Sequence, residues 1–184
     1  MELEREASLR TLLARLLGQR TVSERWRKGA RGEEMVGRRL ARLGPGWRVL
    51  HAVPMRAGTS DIDHVVIGPG GVFTINTKNH IGCLVRAGRG GVWVNRRPTD
   101  YVSQALAEAR IASAALSGAT GLAVATRPIL AVLASRVQVS RQPGEVVVLR
   151  LGDMPRWFLR QAHVLSPMSV DRLFGAARQR STWR

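Results

Sequence analysis

Apolar residues along this chain are spaced first as helices space them and then as strands do. Between Glu2 and Leu17, the residues Leu9, Leu12, Leu13, Leu16 and Leu17 form one helical stripe, with Gly18 as a stop. A second helix is predicted from Ser23 to Leu43, with Ser23 as N-cap and Gly44-Pro45-Gly46 ending it. At about 100° per residue, Trp26, Ala30, Val36, Gly37 and Leu40 gather around Glu33. Arg27, Lys28, Arg31, Arg38, Arg39 and Arg42 fall on the opposite side. Glu33 is therefore expected midway across a buried face, where a carboxylate needs a partner, either an arginine or a functional group. Glu34 lies about 100° away and is expected in solvent.

Strand spacing follows. Trp47 to Val53 alternates, with Trp47, Val49, His51 and Val53 on one side. Asp61 to His80, DIDHVVIGPGGVFTINTKNH, reads as two strands around Gly68-Pro69-Gly70-Gly71. With Pro69 and Gly70 at the turn, Gly68 pairs with Gly71, Ile67 with Val72, Asp63 with Asn76 and Asp61 with Lys78. Asp61, Asp63, Asn76 and Lys78 then share one face, and Ile62, Val66, Phe73 and Ile75 the other. A further hairpin joins Cys83–Ala87 to Val92–Asn95 across Gly88-Arg89-Gly90-Gly91.

Downstream, a helix from Thr99 to Ser117 is capped by Thr99 or Asp100 and stopped by Gly118, with Val102, Ala105, Leu106, Ala109 and Leu116 as its core face. Gln104 lies off that stripe, either solvated or free to orient a water or a phosphate. Ile129–Ala134, Val137–Val139 and Val146–Leu149 supply two or three strands, with Gln142-Pro143-Gly144 as a turn. Short helices are predicted at Met154–Gln161 and Ser169–Gln179, and Arg178, Arg180 and Arg184 form a basic end expected to fray. The order of elements predicts an α/β fold, a mixed sheet with the Glu33 and Gln104 helices packed against it.

At 184 residues the chain suits one domain at 23–184, with residues 1–22 as a helical extension that could cover the domain, self-associate or dock a partner. Cys83 has no internal disulfide partner, which fits a reducing cytoplasm. MELEREASLR resembles neither a secretory signal nor a membrane span, and the apolar run Gly121–Ala134 is interrupted by Arg127 and Pro128. A soluble cytoplasmic protein with no membrane contact is the expectation. Net charge is +16, from 29 basic and 13 acidic residues, which favours a polyanionic partner, nucleic acid first. Arginine bias is the plainer account, since Lys28 and Lys78 are the only lysines and the arginines are dispersed. Arg89 in its glycine loop and Arg96 and Arg97 beyond it are candidates for phosphate contact.

The converging Asp61, Asp63, Asn76 and Lys78 are either a solvated hairpin face or a site. Strands so rich in Val, Ile and Phe favour burial on both sides, where ionised groups need partners. An Asp, about a dozen residues and then a lysine two positions along the next strand resemble the PD-(D/E)XK nucleases. More closely, GARGEEMVGRRL, DIDHVVIGPGGVFTINTKN and Gln104 resemble the nuclease-related domain (NERD), a branch of that superfamily, over Gly29 to Leu116. Gly29, Gly32 and Glu33 match its GxxGE helix. The resemblance implies a restriction-endonuclease-like mixed central sheet flanked by helices, and a Mg2+- or Mn2+-dependent hydrolase acting on nucleic acid, DNA first. It also implies that Asp63 is the principal metal ligand, Glu33 a second carboxylate and the Thr77 carbonyl a further ligand. Lys78 would hold the attacking water or the phosphate charge, and Gln104 would assist. Asp61 would help or pair with Lys78. His64 is expected in the core, and His80 either there or at the site.

Asn76 departs from the pattern, because it stands where the family's E-x-K carries an acid. One unit charge about 4 Å away, at an effective dielectric near 20, is worth roughly 4 kcal/mol, about a thousandfold in metal affinity. Either Asp61 or Glu33 restores the charge, or substrate phosphates hold the ion, or catalysis is lost and a nucleic-acid-binding module remains. A structural or protein-interaction role is the third class.

Overall fold

The computed structural model describes residues 27–55 and 61–184. The predicted helix Glu2–Leu17, the cap Ser23 and Trp26 lie outside the described residues. Helix α1 runs over 27–40 and ends in a turn at Gly44, whose φ of 86° suits glycine. Strands β1 (Arg48–Pro54), β2 (Asp61–Gly68) and β3 (Gly71–Gly88) form an antiparallel meander. The β2–β3 turn has the register expected from Gly-Pro-Gly-Gly, with Gly68 opposite Gly71 and Ile67 opposite Val72. β4 (Gly91–Val94) folds back on the far end of β3, and β5 (Arg97–Pro98) adds a short edge.

β3 is the spine of a seven-stranded sheet. On one side it pairs in parallel with β6 (Thr126–Val139), which pairs in parallel with β7 (Val147–Arg150). On its other side β2 covers only its first residues and β4 only its last. Among the described residues no strand pairs with the edge between, and side chains satisfy part of it. Asp63 accepts from the Thr77 N–H, and Asn95 accepts from the Leu84 N–H. A register shift between His80 and Leu84, with Gly82 at φ 92°, lets so long a strand bend there. Cys83–Ala87 is thus the continuation of β3, and Val137–Val139 the continuation of β6, where separate strands were expected.

α2 (Tyr101–Thr120) packs on one face of the sheet and α1 on the other. Beneath α1, Val36, Leu40 and Leu43 meet Val66, Phe73, Ile75 and Ile129, joined by Met154 and Phe158 of α3 (Met154–Leu159). Each such side chain, when fully buried, contributes about 1.5–3 kcal/mol. Beneath α2, Val65, Ile67 and Val72 meet Ala112 and Leu116, together with Val170 and Leu173 of α4 (Pro167–Ala177). Lining both faces this way makes the sheet interior apolar on either side.

Four local expectations differ from the structure. α2 passes through Gly118 and ends at Gly121, which adopts φ 69° and donates to the Ser117 carbonyl, because Leu116 and Thr120 are still buried there. Ala30 is exposed, and Gly32 takes its place against the sheet. Ile62 and Val53 join the cluster under α2, away from Val66 and Phe73. The β1–β2 pairing skips Ala52 and Asp63, and Ala52 sits at φ 49°, so both strands turn at that point. Finally, the basic C-terminal end is folded: Trp183 is buried and its Nε1 donates to the Ala177 carbonyl.

Candidate functional site

The site lies where β2 and β3 part. Their pairing reaches His64 opposite Ile75 and stops, so the ladder does not continue to the expected pairs of Asp63 with Asn76 and Asp61 with Lys78. The Asp63 side chain takes over instead, its Oδ2 accepting from the Thr77 N–H at 2.6 Å. A residue's N–H and C=O point to the same strand edge, so the Thr77 carbonyl also faces the gap. Burial raises the Asp63 pKa, outweighing the Thr77 N–H and the Lys78 charge, which act the other way.

α1 delivers Glu33 to the same place. Gly32 permits this, since a Cβ built there would lie 3.1 Å from Asn79 Cβ and 3.2 Å from Thr77 Cγ2. Glu33 is half-buried, and burial first, then the charges of Asp63 and Asp61, raise its pKa. Among the described residues no arginine pairs with it; the ion pair on this helix joins Arg38 to Glu34 at 2.6 Å on the exposed side. Asp61 is exposed and pairs through its backbone with Pro54, so it is not the ion-pair partner of Lys78 that the sequence allowed.

From the other face comes α2. Lys78 Nζ donates to Gln104 Oε1 at 3.3 Å and stands 4.4 Å from the centre of the Tyr101 ring. Gln104 is in turn held by Asp100, to which its Nε2 donates at 2.6 Å. Burial lowers the Lys78 pKa, against the pull of Asp63, Glu108 and Asp100. His80 stacks on Tyr101, with Nε2 and the phenol oxygen 2.8 Å apart, and so borders the site from the neighbouring position. His64 is a core residue, its Nδ1 2.7 Å from that of its exposed neighbour His51.

Sequence reasoning missed one acid. Glu108, one turn beyond Gln104, is 8% exposed, and its Oε1 accepts from Asn76 Nδ2 at 2.5 Å. Burial drives its pKa up to about 7, with the Asn76 hydrogen bond opposing and Asp63 adding to the rise. Its Oε2 has no hydrogen-bond partner among the described residues. The available signal was a glutamate inside the apolar stripe of Ala105, Ala109 and Ala112.

Asp63, Glu33, Thr77, Asn76, Lys78 and Gln104 are therefore brought to one cleft between the two helices. Arg89, Arg96 and Arg97 are exposed at the β3–β5 hairpins, and among the described residues no side-chain hydrogen bond or ion pair joins them to the cleft. Acids with raised pKa beside a lysine with a lowered one mark a candidate functional site. Among the described residues no three His, Cys, Asp or Glu side chains converge on one point as a closed metal cage would require. Magnesium needs less: one or two carboxylates, with waters and substrate oxygens completing its octahedron. Asp63 and Glu33, with the Thr77 carbonyl, fit that smaller requirement. No helix among the described residues is long and apolar enough to cross a membrane.

The fold is α/β and nuclease-like, and acids and a lysine gather where its central strands part. Residues 28–133, more than half of the chain, match the family model of the nuclease-related domain, and the chain belongs to that family. The match spans α1 to the middle of β6, further than Leu116, where the resemblance in the sequence ended. One similar protein is an uncharacterized protein of Bacillus anthracis, 39% identical over 70 residues. The aligned part covers 36% of this chain and 33% of that protein, so the chain spans about a third of the relative it matches. No solved structure matches.

Proposed function

We propose that this protein is a metal-dependent nuclease that hydrolyses nucleic-acid phosphodiester bonds, with DNA as its substrate. The observation that carries the reading is Asp63 locked to the Thr77 N–H, with Lys78 projecting beside it from the same strand. Asp63, Glu33 and the Thr77 carbonyl would hold Mg2+ or Mn2+. Such an ion, when bound, polarises the phosphate and makes its water acidic enough to attack near neutral pH. Lys78 places an ammonium against the attacking water or the phosphorane charge. Gln104, tethered by Asp100, sets where that ammonium stands. The net charge of +16 draws the polyanion in, and Arg89, Arg96 and Arg97 are exposed where a backbone can reach them.

A second reading, a nucleic-acid-binding module with weakened or lost catalysis, is favoured by one observation. Asn76 carries no charge, and its amide is engaged with Glu108. Supercoiled plasmid with Mg2+ or Mn2+ separates the two. The nuclease reading expects nicking by the parent and none by Asp63→Ala or Lys78→Ala, with both variants folded. Equal nicking by all three would refute the site. DNA binding without metal, steeply weakened by salt and without nicking, would establish the binding module.

A further inference from the structure

A glutamate buried to within 8% of complete coverage in an alanine-rich helix face is costly unless something cancels its charge. At Glu108 the Lys78 ammonium offsets that charge only in part, and among the described residues no salt bridge reaches the carboxylate. The ion pairs there are Arg38–Glu34 and Arg48–Asp171, both elsewhere. Asn76 satisfies one carboxylate oxygen, and the other is buried without a partner. A structural link between α2 and β3 would not need this arrangement. A glutamine at 108 would accept the same Asn76 hydrogen bond and leave no charge to desolvate. The carboxylate is intelligible if a cation completes it.

Resting on the nuclease reading above, we propose that Glu108 supplies, from α2, the negative charge that Asn76 does not supply from β3. Glu108 and Asp63 together then form the acid pair of a divalent-cation site, and Asn76 is a positioning residue that orients Glu108. Three placements support this. Position 76 is where an E-x-K strand presents its acid, and Glu108 meets it head-on from the facing helix. Asp63 and Lys78 are both near enough for their charges to act on Glu108. Gln104, the helix residue that holds Lys78, lies one turn before it, so α2 carries both the lysine's anchor and the acid on one face. The acid has changed elements while its destination is the same.

The test is Mn2+ titration of the full chain by calorimetry and by the manganese spin signal, with no nucleic acid present. Loss of one ligand charge at contact distance is worth up to about a thousandfold, and roughly thirtyfold at twice that distance. Glu108→Gln is accordingly expected to weaken Mn2+ binding at least about tenfold, while its melting temperature in EDTA stays at or above the parent's. The exchange Asn76→Glu with Glu108→Gln returns the acid to the strand, and is expected to recover binding to within a few-fold of the parent. If Glu108→Gln binds Mn2+ like the parent while Asp63→Ala does not, this proposal alone is overturned and the nuclease reading stands. If it melts lower in EDTA with unchanged Mn2+ affinity, the pair is structural and the proposal is likewise wrong. Should Glu108→Gln not fold, the exchange variant decides: tight binding supports the relocation, and no binding refutes it. If neither parent nor Asp63→Ala takes up Mn2+, the metal-dependent reading itself falls.

Discussion

Lys78 stands over the face of Tyr101, its Nζ 4.4 Å from the ring centre. The ring does two things to this ammonium. It removes water from one side, which contributes to lowering the lysine pKa, and it returns part of the lost solvation through its negative face. The hydroxyl is not involved, because it is engaged with His80.

Tyr101→Phe should therefore preserve metal-dependent cleavage, while Tyr101→Leu should slow it about tenfold, as losing one to two kcal/mol of cation–π and positional energy implies. Lys78→Ala removes the ammonium altogether and should leave no measurable cutting. Single-turnover rates on supercoiled plasmid report all three. Equal rates for Phe and Leu at 101 would show that the ring does not position the lysine.

Gly32 sets how closely α1 can approach β3. An added Cβ would meet Asn79 Cβ and Thr77 Cγ2 at 3.1 and 3.2 Å, closer than packed side chains normally come. Gly32→Ala should cost about 1–3 kcal/mol through the shift it forces, and it should carry Glu33 away from Asp63. Gly118→Ala is the matched control. That glycine is inside α2, exposed, with open space where its Cβ would go, so alanine should stabilise by roughly 0.5–1 kcal/mol. Chemical denaturation measures both, and a Gly32→Ala protein as stable as the parent would mean that the helix has room to spare.

Much of this cleft was legible in the sequence, and the parts that were not share a cause. Gly-Pro-Gly-Gly between β-branched runs fixes a two-residue turn, and the turn fixes which side chains of β3 align, so Asn76 and Lys78 emerge together. Helical periodicity likewise turns Glu33 inward, as its partial burial bears out. What periodicity does not carry is tertiary pairing. Ser135 and Arg136 looked like a break between two strands, yet parallel pairing with β3 carries β6 through them. Gly118 looked like a helix stop, yet the packing of Leu116 and Thr120 takes α2 a half-turn further. Glu108 was hidden for the same reason: its meaning depends on Asn76, which lies 32 positions away on another element.

His64 gives the fold an acid-side pH dependence. Its burial, reinforced by neighbouring His51, lowers its pKa to about 4. Above an unfolded value near 6.5 the imidazole is neutral in both states, and the fold keeps its full stability. Between about 6.5 and 4 the unfolded chain takes up a proton at this residue that the folded chain refuses, so the contribution of His64 to stability falls as pH falls, by roughly 3 kcal/mol in all. Glu108, its pKa held up to about 7, pushes stability the other way over much of the same window, so the measure is a difference: the gap in stability between parent and His64→Gln, read from denaturation midpoints, should shift by this amount from pH 8 to pH 4. A slope unchanged in that variant would assign the acid sensitivity to other groups.

Asn76→Glu, made alone, probes how the strand and helix acids compete. The parent pair is a donor facing an acceptor at 2.5 Å. The variant sets carboxylate against buried carboxylate at a similar distance, and two like charges there cannot both be ionised without a counter-ion. One must take up a proton, and the lost hydrogen bond leaves Glu108 with less solvation than before. In EDTA near pH 8 the variant should be less stable than the parent by roughly 1–3 kcal/mol. Saturating Mn2+ should raise its melting temperature by more than it raises the parent's, because the cation then neutralises a three-acid cluster of Asp63, Glu108 and the new glutamate. Adding Glu108→Gln should restore stability in EDTA, since the amide can donate to the introduced acid and the repulsion is gone. A single variant that melts like the parent in EDTA would mean that the 76 and 108 side chains do not face one another in solution.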